Sequence, residues 1–273
     1  MAHVFIAGLG QLGSALAETL MLDGHAVSAG RRGNQAPAGV DLYSQDFAEG
    51  RILLPPDQID LLYIILSPAS RAEEEYQRAF LAAPIRLLDA LAEHQPLPPV
   101  VFVSSTAVYG ERLGEADEET RPEPARFNGR ILLAAEEEIA ARTVATAVRF
   151  SGIYGPGRER LIKQVAAIAA GDSPPQARFS NRIHSADCVG LLAQVGRQWL
   201  AGEMQPPVVL GTDRTPVINR EVLNFIGEQT GQPLALDVPD IAPGKRLHSR
   251  YIDAGHYALR YPDYRAGYGE MLG

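Results

Sequence analysis

Val4-Phe5-Ile6-Ala7-Gly8-Leu9-Gly10-Gln11-Leu12-Gly13 is the stretch on which the fold turns. Its first four residues are apolar and rich in strand formers, and the residues from Leu12 to Leu22 place apolar side chains at helical spacing. Three glycines fill the junction at a spacing that a strand-to-helix turn around a dinucleotide requires. Gly8 permits the tight turn, Gly10 lets the backbone approach a pyrophosphate, and Gly13 allows the helix to pack closely on the strand. The helix start at Gln11 and Leu12 offers backbone N–H groups and a partial positive charge to the phosphates. The plainer alternative is a glycine-rich turn with no ligand.

Working outward, strand patterns recur at Ala26–Ala29, Asp41–Tyr43, Leu61–Leu66, Val100–Ser104 and Thr146–Arg149. Helical patterns lie at Leu12–Leu22, within Arg71–His94, and at Gly129–Arg142, and Pro84 makes the second either two short helices or one kinked helix. This alternation predicts an α/β chain with a Rossmann-type, doubly wound parallel sheet covered by helices on both faces. Past Arg149 the pattern loosens around Gly155-Pro156-Gly157, Ser173-Pro174-Pro175 and Gln205-Pro206-Pro207. We therefore expect a dinucleotide-binding domain over residues 1–150. Residues 151–273 are expected to form mainly a small C-terminal substrate-covering lobe, with some elements returning to the sheet.

The end of the second strand bears on which dinucleotide fits. An NAD site places an acidic side chain there against the ribose 2′-hydroxyl. Here the segment reads Val27-Ser28-Ala29-Gly30-Arg31-Arg32, with no acid and two guanidinium groups suited to a 2′-phosphate. NADP(H) is the preferred cofactor and NAD(H) the alternative; a solvated arginine pair with no ligand is the bland reading.

The 273 residues are 46% hydrophobic and 21% charged, ordinary globular values, and 33 acidic against 25 basic side chains give a net charge of −8. That sign disfavours a nucleic-acid backbone or an anionic membrane as partner. Cys188 is the single cysteine and six histidines are scattered, so neither a disulfide nor a metal site is expected. The N-terminus has no cationic segment before its apolar run, and the most apolar stretch, Leu61–Leu66, is far shorter than the ~20 residues of a membrane span. A cytoplasmic protein acting on a small molecule is the expectation.

Further motifs follow in order: Asp46 after the third strand; Val103-Ser104-Ser105-Thr106-Ala107-Val108-Tyr109-Gly110 after the fifth; Arg149-Phe150-Ser151-Gly152-Ile153-Tyr154-Gly155-Pro156-Gly157 after the sixth; and Arg182-Ile183-His184-Ser185-Ala186-Asp187 beyond. With the glycine turn, these resemble the extended and atypical short-chain dehydrogenase/reductases of the NAD-dependent epimerase/dehydratase group, from Val4 to about Gly231. The resemblance implies that Asp46 meets the adenine amino group and that Ser105, four positions before Tyr109, hydrogen-bonds the substrate oxygen at the reacting carbon.

One departure is sharp. The family places Tyr, then Lys four residues later, on the helix after the fifth strand, and anchoring on Ala134-Ala135-Glu136 puts Asn128 and Leu132 there. The lysine would lower the pKa of a phenol that ordinarily titrates near ~10, and neither residue here can do this work. Tyr109, Tyr154 and His184 are the replacement candidates, histidine having the most suitable intrinsic pKa. The Glu73-Glu74-Glu75 and Glu136-Glu137-Glu138 runs read as solvated helix faces, Asp187 as a helix-start acid, and Arg246 and His248 either as contacts to an anionic substrate or as plain surface. The resulting expectation is an NADP(H)-dependent oxidoreductase or epimerase-like enzyme of the atypical type. The family implies a polar small metabolite such as a nucleotide sugar. A non-catalytic NADP(H)-binding sensor or scaffold is the rival. A homodimer through the Arg71–His94 and Gly129–Arg142 helices is left open.

Overall fold

The computed structural model describes residues 1–273. Its main sheet has seven strands: β1 (His3–Ala7), β2 (Ala26–Arg31), β3 (Asp41–Ser44), β4 (Leu61–Ile64), β5 (Val100–Ser105), β6 (Ala145–Phe150) and β7 (Val208–Gly211). They lie in the order β7-β6-β5-β4-β1-β2-β3, so the winding direction reverses between β1 and β4. The β1–β2, β1–β4, β2–β3 and β4–β5 pairs run parallel. This is the doubly wound Rossmann arrangement expected from the sequence, and in such sheets ligands bind beyond the strand ends at the reversal point. Val4, Phe5, Ile6 and Ala7 of β1 and Leu61, Leu62, Tyr63 and Ile64 of β4 are fully buried, as strands covered on both faces must be.

The helices long enough to matter are α1 (Gln11–Leu22), α2 (Ala83–Ala92), α3 (Phe127–Arg142), α4 (Arg160–Ala169), α5 (Ser185–Leu200), α6 (Asn219–Gln229) and α7 (Tyr264–Leu272). The region around Pro84 resolves into a short helix Glu73–Gln77, a π-helical turn Arg78–Ala82, and α2. Pro84 falls in the first turn of α2, where a missing N–H has no cost. The Ala83 N–H reaches back five residues to the Arg78 carbonyl, a wider turn that keeps the proline ring clear of the preceding chain.

The chain divides into two compact units. The first comprises Met1–Gly110, Pro122–Arg149 and Val189–Val209. The second comprises Glu111–Arg121, Phe150–Cys188 and Leu210–Gly273. Within the second, Gly114–Ala116 pairs with Lys245–Leu247 and Gly152–Tyr154 with Arg182–His184, both in parallel, while Phe179–Ser180 pairs antiparallel with Val217–Ile218. Its apolar core joins Tyr154, Val165, Val222, Leu223, Ile226, Tyr264 and Tyr268. No helix is long and apolar enough to cross a membrane.

Candidate functional site

Register places the site. Ala7 pairs with Gly30 of β2 and with Ile64 of β4, so the three chains leave the sheet at one edge. Gly8 follows at φ +107°, a conformation that L side chains rarely adopt, and a methyl group there would sit 2.2 Å from the Ile65 carbonyl oxygen. A methyl on Gly13 would sit 2.2 Å from the Gly8 carbonyl oxygen, so the first turn of α1 rests directly on the strand end. A methyl on Gly10 would meet no atom within 4 Å. The turn is therefore closed on its protein side at Gly8 and Gly13 and open at Gly10, the cradle a pyrophosphate needs. Gly10 caps α1 without a side-chain hydrogen bond, and the first turn holds no acidic residue. The first intrahelical bond runs from Ser14 N–H to the Gly10 carbonyl at 2.8 Å, so the amides of Gln11, Leu12 and Gly13 precede the ladder at the positive end of the helix dipole. These residues fit a dinucleotide.

A cleft of about 230 Å³ opens from this turn, and Gly8, Gly10, Arg31, Arg32 and Asp46 all line it. The sequence reading named these residues, and the structure brings them together. Arg31 ends β2 and donates to the Gln35 carbonyl at 2.9 Å, while Arg32 is exposed. Asp46 accepts from the Ala48 N–H at 2.9 Å and from Arg78 at 2.6 Å. Burial by itself would raise its carboxyl pKa. The hydrogen bonds from Ala48 and Arg78 and the charges of Arg78 and Arg32 outweigh burial and hold it below the ordinary carboxylate value. Arg78 lines the same cleft and also pairs with Glu49, yet the sequence reading missed it. It lies over thirty residues from Asp46 on a helix whose pattern had no special signal.

Ser105 closes β5 and caps the 3₁₀ turn Thr106–Tyr109, its hydroxyl oxygen accepting from the Ala107 N–H at 3.2 Å. The hydroxyl proton stays available to a substrate oxygen. Helix α3 starts against this turn, since a methyl on Gly129 would lie 2.5 Å from the Ala107 carbonyl oxygen. Asn128, in the first turn of α3, is therefore a near neighbour in the fold, and Leu132 one turn further is buried.

Tyr109 is fully buried, and its phenol oxygen accepts from Arg149 at 3.0 Å. Arg149 in turn grips Glu136 at 2.6 Å, and Ser104 donates to the same carboxylate. The sequence expectation that Glu136 belongs to a solvated face is corrected here, because it lies in the interior with both oxygens engaged. Burial lowers the Arg149 pKa, but its bonds to Glu136 and Tyr109 more than restore it, so the guanidinium keeps its charge in a dry site.

In the second unit, His184 is buried with its ring edge-on to Tyr154 at 5.2 Å and its centroid 3.9 Å from that of Tyr261. Its Nδ1 accepts from the Ala186 N–H at 3.2 Å, and burial, despite Asp187 and Glu270, lowers its pKa. With Nδ1 taken as an acceptor, Nε2 is the ring nitrogen left to donate. Asp187 starts α5, as expected, and does more: it accepts from the Arg260 N–H at 2.7 Å, the Tyr261 N–H at 3.0 Å and the Tyr257 hydroxyl at 3.1 Å. Arg246 and His248 both pair with Glu115.

Comparison with known proteins agrees with this geometry. The profile of the NAD dependent epimerase/dehydratase family matches residues 4–178. The protein YeeZ of Escherichia coli K12 is 28% identical over 204 residues, spanning 70% of this chain and 72% of that protein. The structure of a provisionally named NAD-dependent epimerase/dehydratase from Methylobacillus flagellatus superposes with a TM-score of 0.83 at 32% identity, covering 99% of this chain and 97% of that one. The human epimerase family protein SDR39U1, solved with NADPH, shares the fold at a TM-score of 0.76 and 20% identity, covering 99% of each chain.

Proposed function

The chain belongs to the NAD dependent epimerase/dehydratase family, and on that footing we propose that it is an NADP(H)-dependent oxidoreductase or epimerase-like enzyme acting on a polar small metabolite. The observation that carries the cofactor choice is the end of β2, where Arg31 and Arg32 line the cleft and no acidic side chain follows the strand. A carboxylate there would accept from a ribose 2′-hydroxyl and repel a 2′-phosphate; two guanidiniums reverse both preferences. Gly8, Gly10 and Gly13 shape the turn, the amides of Gln11 and Leu12 face the pyrophosphate, and Asp46 takes the adenine amino group.

When bound, the nicotinamide supplies a hydride donor or acceptor. The chain orients the substrate with the Ser105 hydroxyl, which donates to the oxygen on the reacting carbon while the Ala107 N–H fixes its rotamer. Tyr109 keeps its place through Arg149 and steadies the turn that carries Ser105. His184, in the second unit, is assigned a proton-donating role through Nε2, its Nδ1 being taken by the Ala186 N–H. Family membership favours a nucleotide-linked sugar as the substrate class.

The rival reading, a non-catalytic NADP(H) sensor, draws on Asn128 and Leu132, which stand where the family's proton-transferring pair is expected. Absorbance at the reduced nicotinamide band, followed with a panel of carbonyl metabolites and sugar nucleotides, separates the two. Turnover with any member establishes the enzyme, and tight NADPH binding with no turnover across the panel establishes the sensor. The cofactor assignment has its own test by calorimetry. Replacing Arg31 and Arg32 together by Ala is expected to weaken NADPH on the order of a hundredfold and NADH by less than about threefold. Equal weakening overturns it.

A further inference from the structure

We propose that Arg78 is a third specificity-determining residue, a guanidinium held at the cleft by Asp46 and Glu49 and directed to the 2′-phosphate of NADP(H). The inference rests on the cofactor reading above and extends it to a residue that no part of the glycine motif or the β2 terminus contains. Arg78 lines the same cleft as Arg31 and Arg32. Its Nη2 donates to Asp46 at 2.6 Å and its Nη1 to Glu49. Each carboxylate uses one of the five N–H donors of a guanidinium, so three remain for a further acceptor without breaking either bond. The side chain is only about one-third exposed, at 34%, and is thus held rather than waving in solvent.

Backbone and charge both support this placement. Arg78 is the first residue of the π-helical turn, and its carbonyl accepts from the Ala83 N–H. The widened turn sets the angular position of residue 78 relative to α2, and such turns recur at functional sites. The charges of Arg78 and of Arg32 both act on Asp46, so these two guanidiniums lie near the same carboxylate, and Arg31 lines the cleft with them. Asp46 thereby serves two purposes, presenting acceptor capacity to the adenine side and anchoring Arg78.

The test is calorimetric titration of NADPH, NADH and adenosine 2′,5′-bisphosphate into the full chain carrying Arg78→Gln, Arg78→Lys, or the Arg31→Ala/Arg32→Ala pair, with thermal melts confirming folding. Arg78→Gln is expected to weaken NADPH and the bisphosphate about tenfold and NADH less than about twofold, with Arg78→Lys between it and wild type. The Arg78-dependent part of NADPH affinity should also shrink as salt is raised. Unchanged NADPH affinity in folded Arg78→Gln, alongside loss in the Arg31/Arg32 variant, overturns this inference and leaves the cofactor reading intact. Equal loss of both dinucleotides also overturns it, because Arg78 then only holds the 46–49 loop. If wild type binds NADH as tightly as NADPH, the cofactor reading itself fails.

Discussion

Gly8, Gly10 and Gly13 look alike in sequence but face different constraints, which mutation should separate. Gly8→Ala places a methyl against the Ile65 carbonyl in a strained backbone conformation and Gly13→Ala one against the Gly8 carbonyl. Each is expected to lower stability by about 2 kcal/mol or more in denaturant melts. Gly10→Val has open space on its side-chain face. It should melt like wild type yet lose both NADPH and NADH in calorimetry, because the new side chain stands where the pyrophosphate meets the backbone. Unchanged affinity would place the phosphates elsewhere. The motif is legible in sequence because these backbone demands are local. Arg78 is not, since its importance arises only when the β3 loop folds against the helix that carries it.

At the level of elements, strand cores were readable and strand ends were not. β4 reads as Leu61–Leu66 from apolarity, yet pairing stops at Ile64 because β1 stops at Ala7, leaving Ile65 to bond the Ala7 carbonyl at 2.7 Å. β2 runs past Ala29 to Arg31 because β3 supplies partners, Tyr43 for Gly30 and Ser44 for Arg31. β7 was missed: four residues after a Pro-Pro turn carry little pattern, although Val209 and Leu210 are fully buried. The Glu136–Arg149 pair, which fastens α3 to β6, was hidden in a run of three glutamates of which only position 136 faces inward. Arg149→Met should therefore cost about 3–5 kcal/mol in chemical denaturation by stranding a buried carboxylate. The double change Arg149→Met/Glu136→Met should recover most of that loss, and failure to recover would mean the pair's geometry, more than its charge balance, holds the helix.

For the molecule as a whole, the pH dependence of stability should carry the mark of Asp213. Burial pushes its carboxyl up to about 7 against the opposing charge of Arg182 and the Thr215 N–H bond, with Asp263 and Asp187 adding to the rise. In the unfolded chain it ionises near its ordinary value. Between those two pH values the native state therefore holds the extra proton, so stability falls as pH rises from about 4 to about 7 and levels off above. About 1.4 kcal/mol accompanies each pH unit of displacement. Asp213→Asn keeps the oxygen that accepts from Thr215 and has nothing to ionise, so it should flatten this slope and raise the melting temperature at pH 8 relative to wild type. Equal slopes in the two proteins would remove Asp213 as the cause. The sequence could not announce this group, because its surroundings are assembled from residues far apart in the chain: Arg182, Asp187, Asp213 and Asp263 come together only in the folded second unit.

Every residue that walls the cleft beside the glycine turn lies between positions 8 and 83, while Ser105, Asn128 and His184 all come later in the chain. On the roles proposed above, the residues assigned to coenzyme preference and those assigned to the substrate fall in separate stretches of the chain. A laboratory wishing to exchange one redox currency for another could redraw the first third of this polypeptide and leave the remainder as it stands.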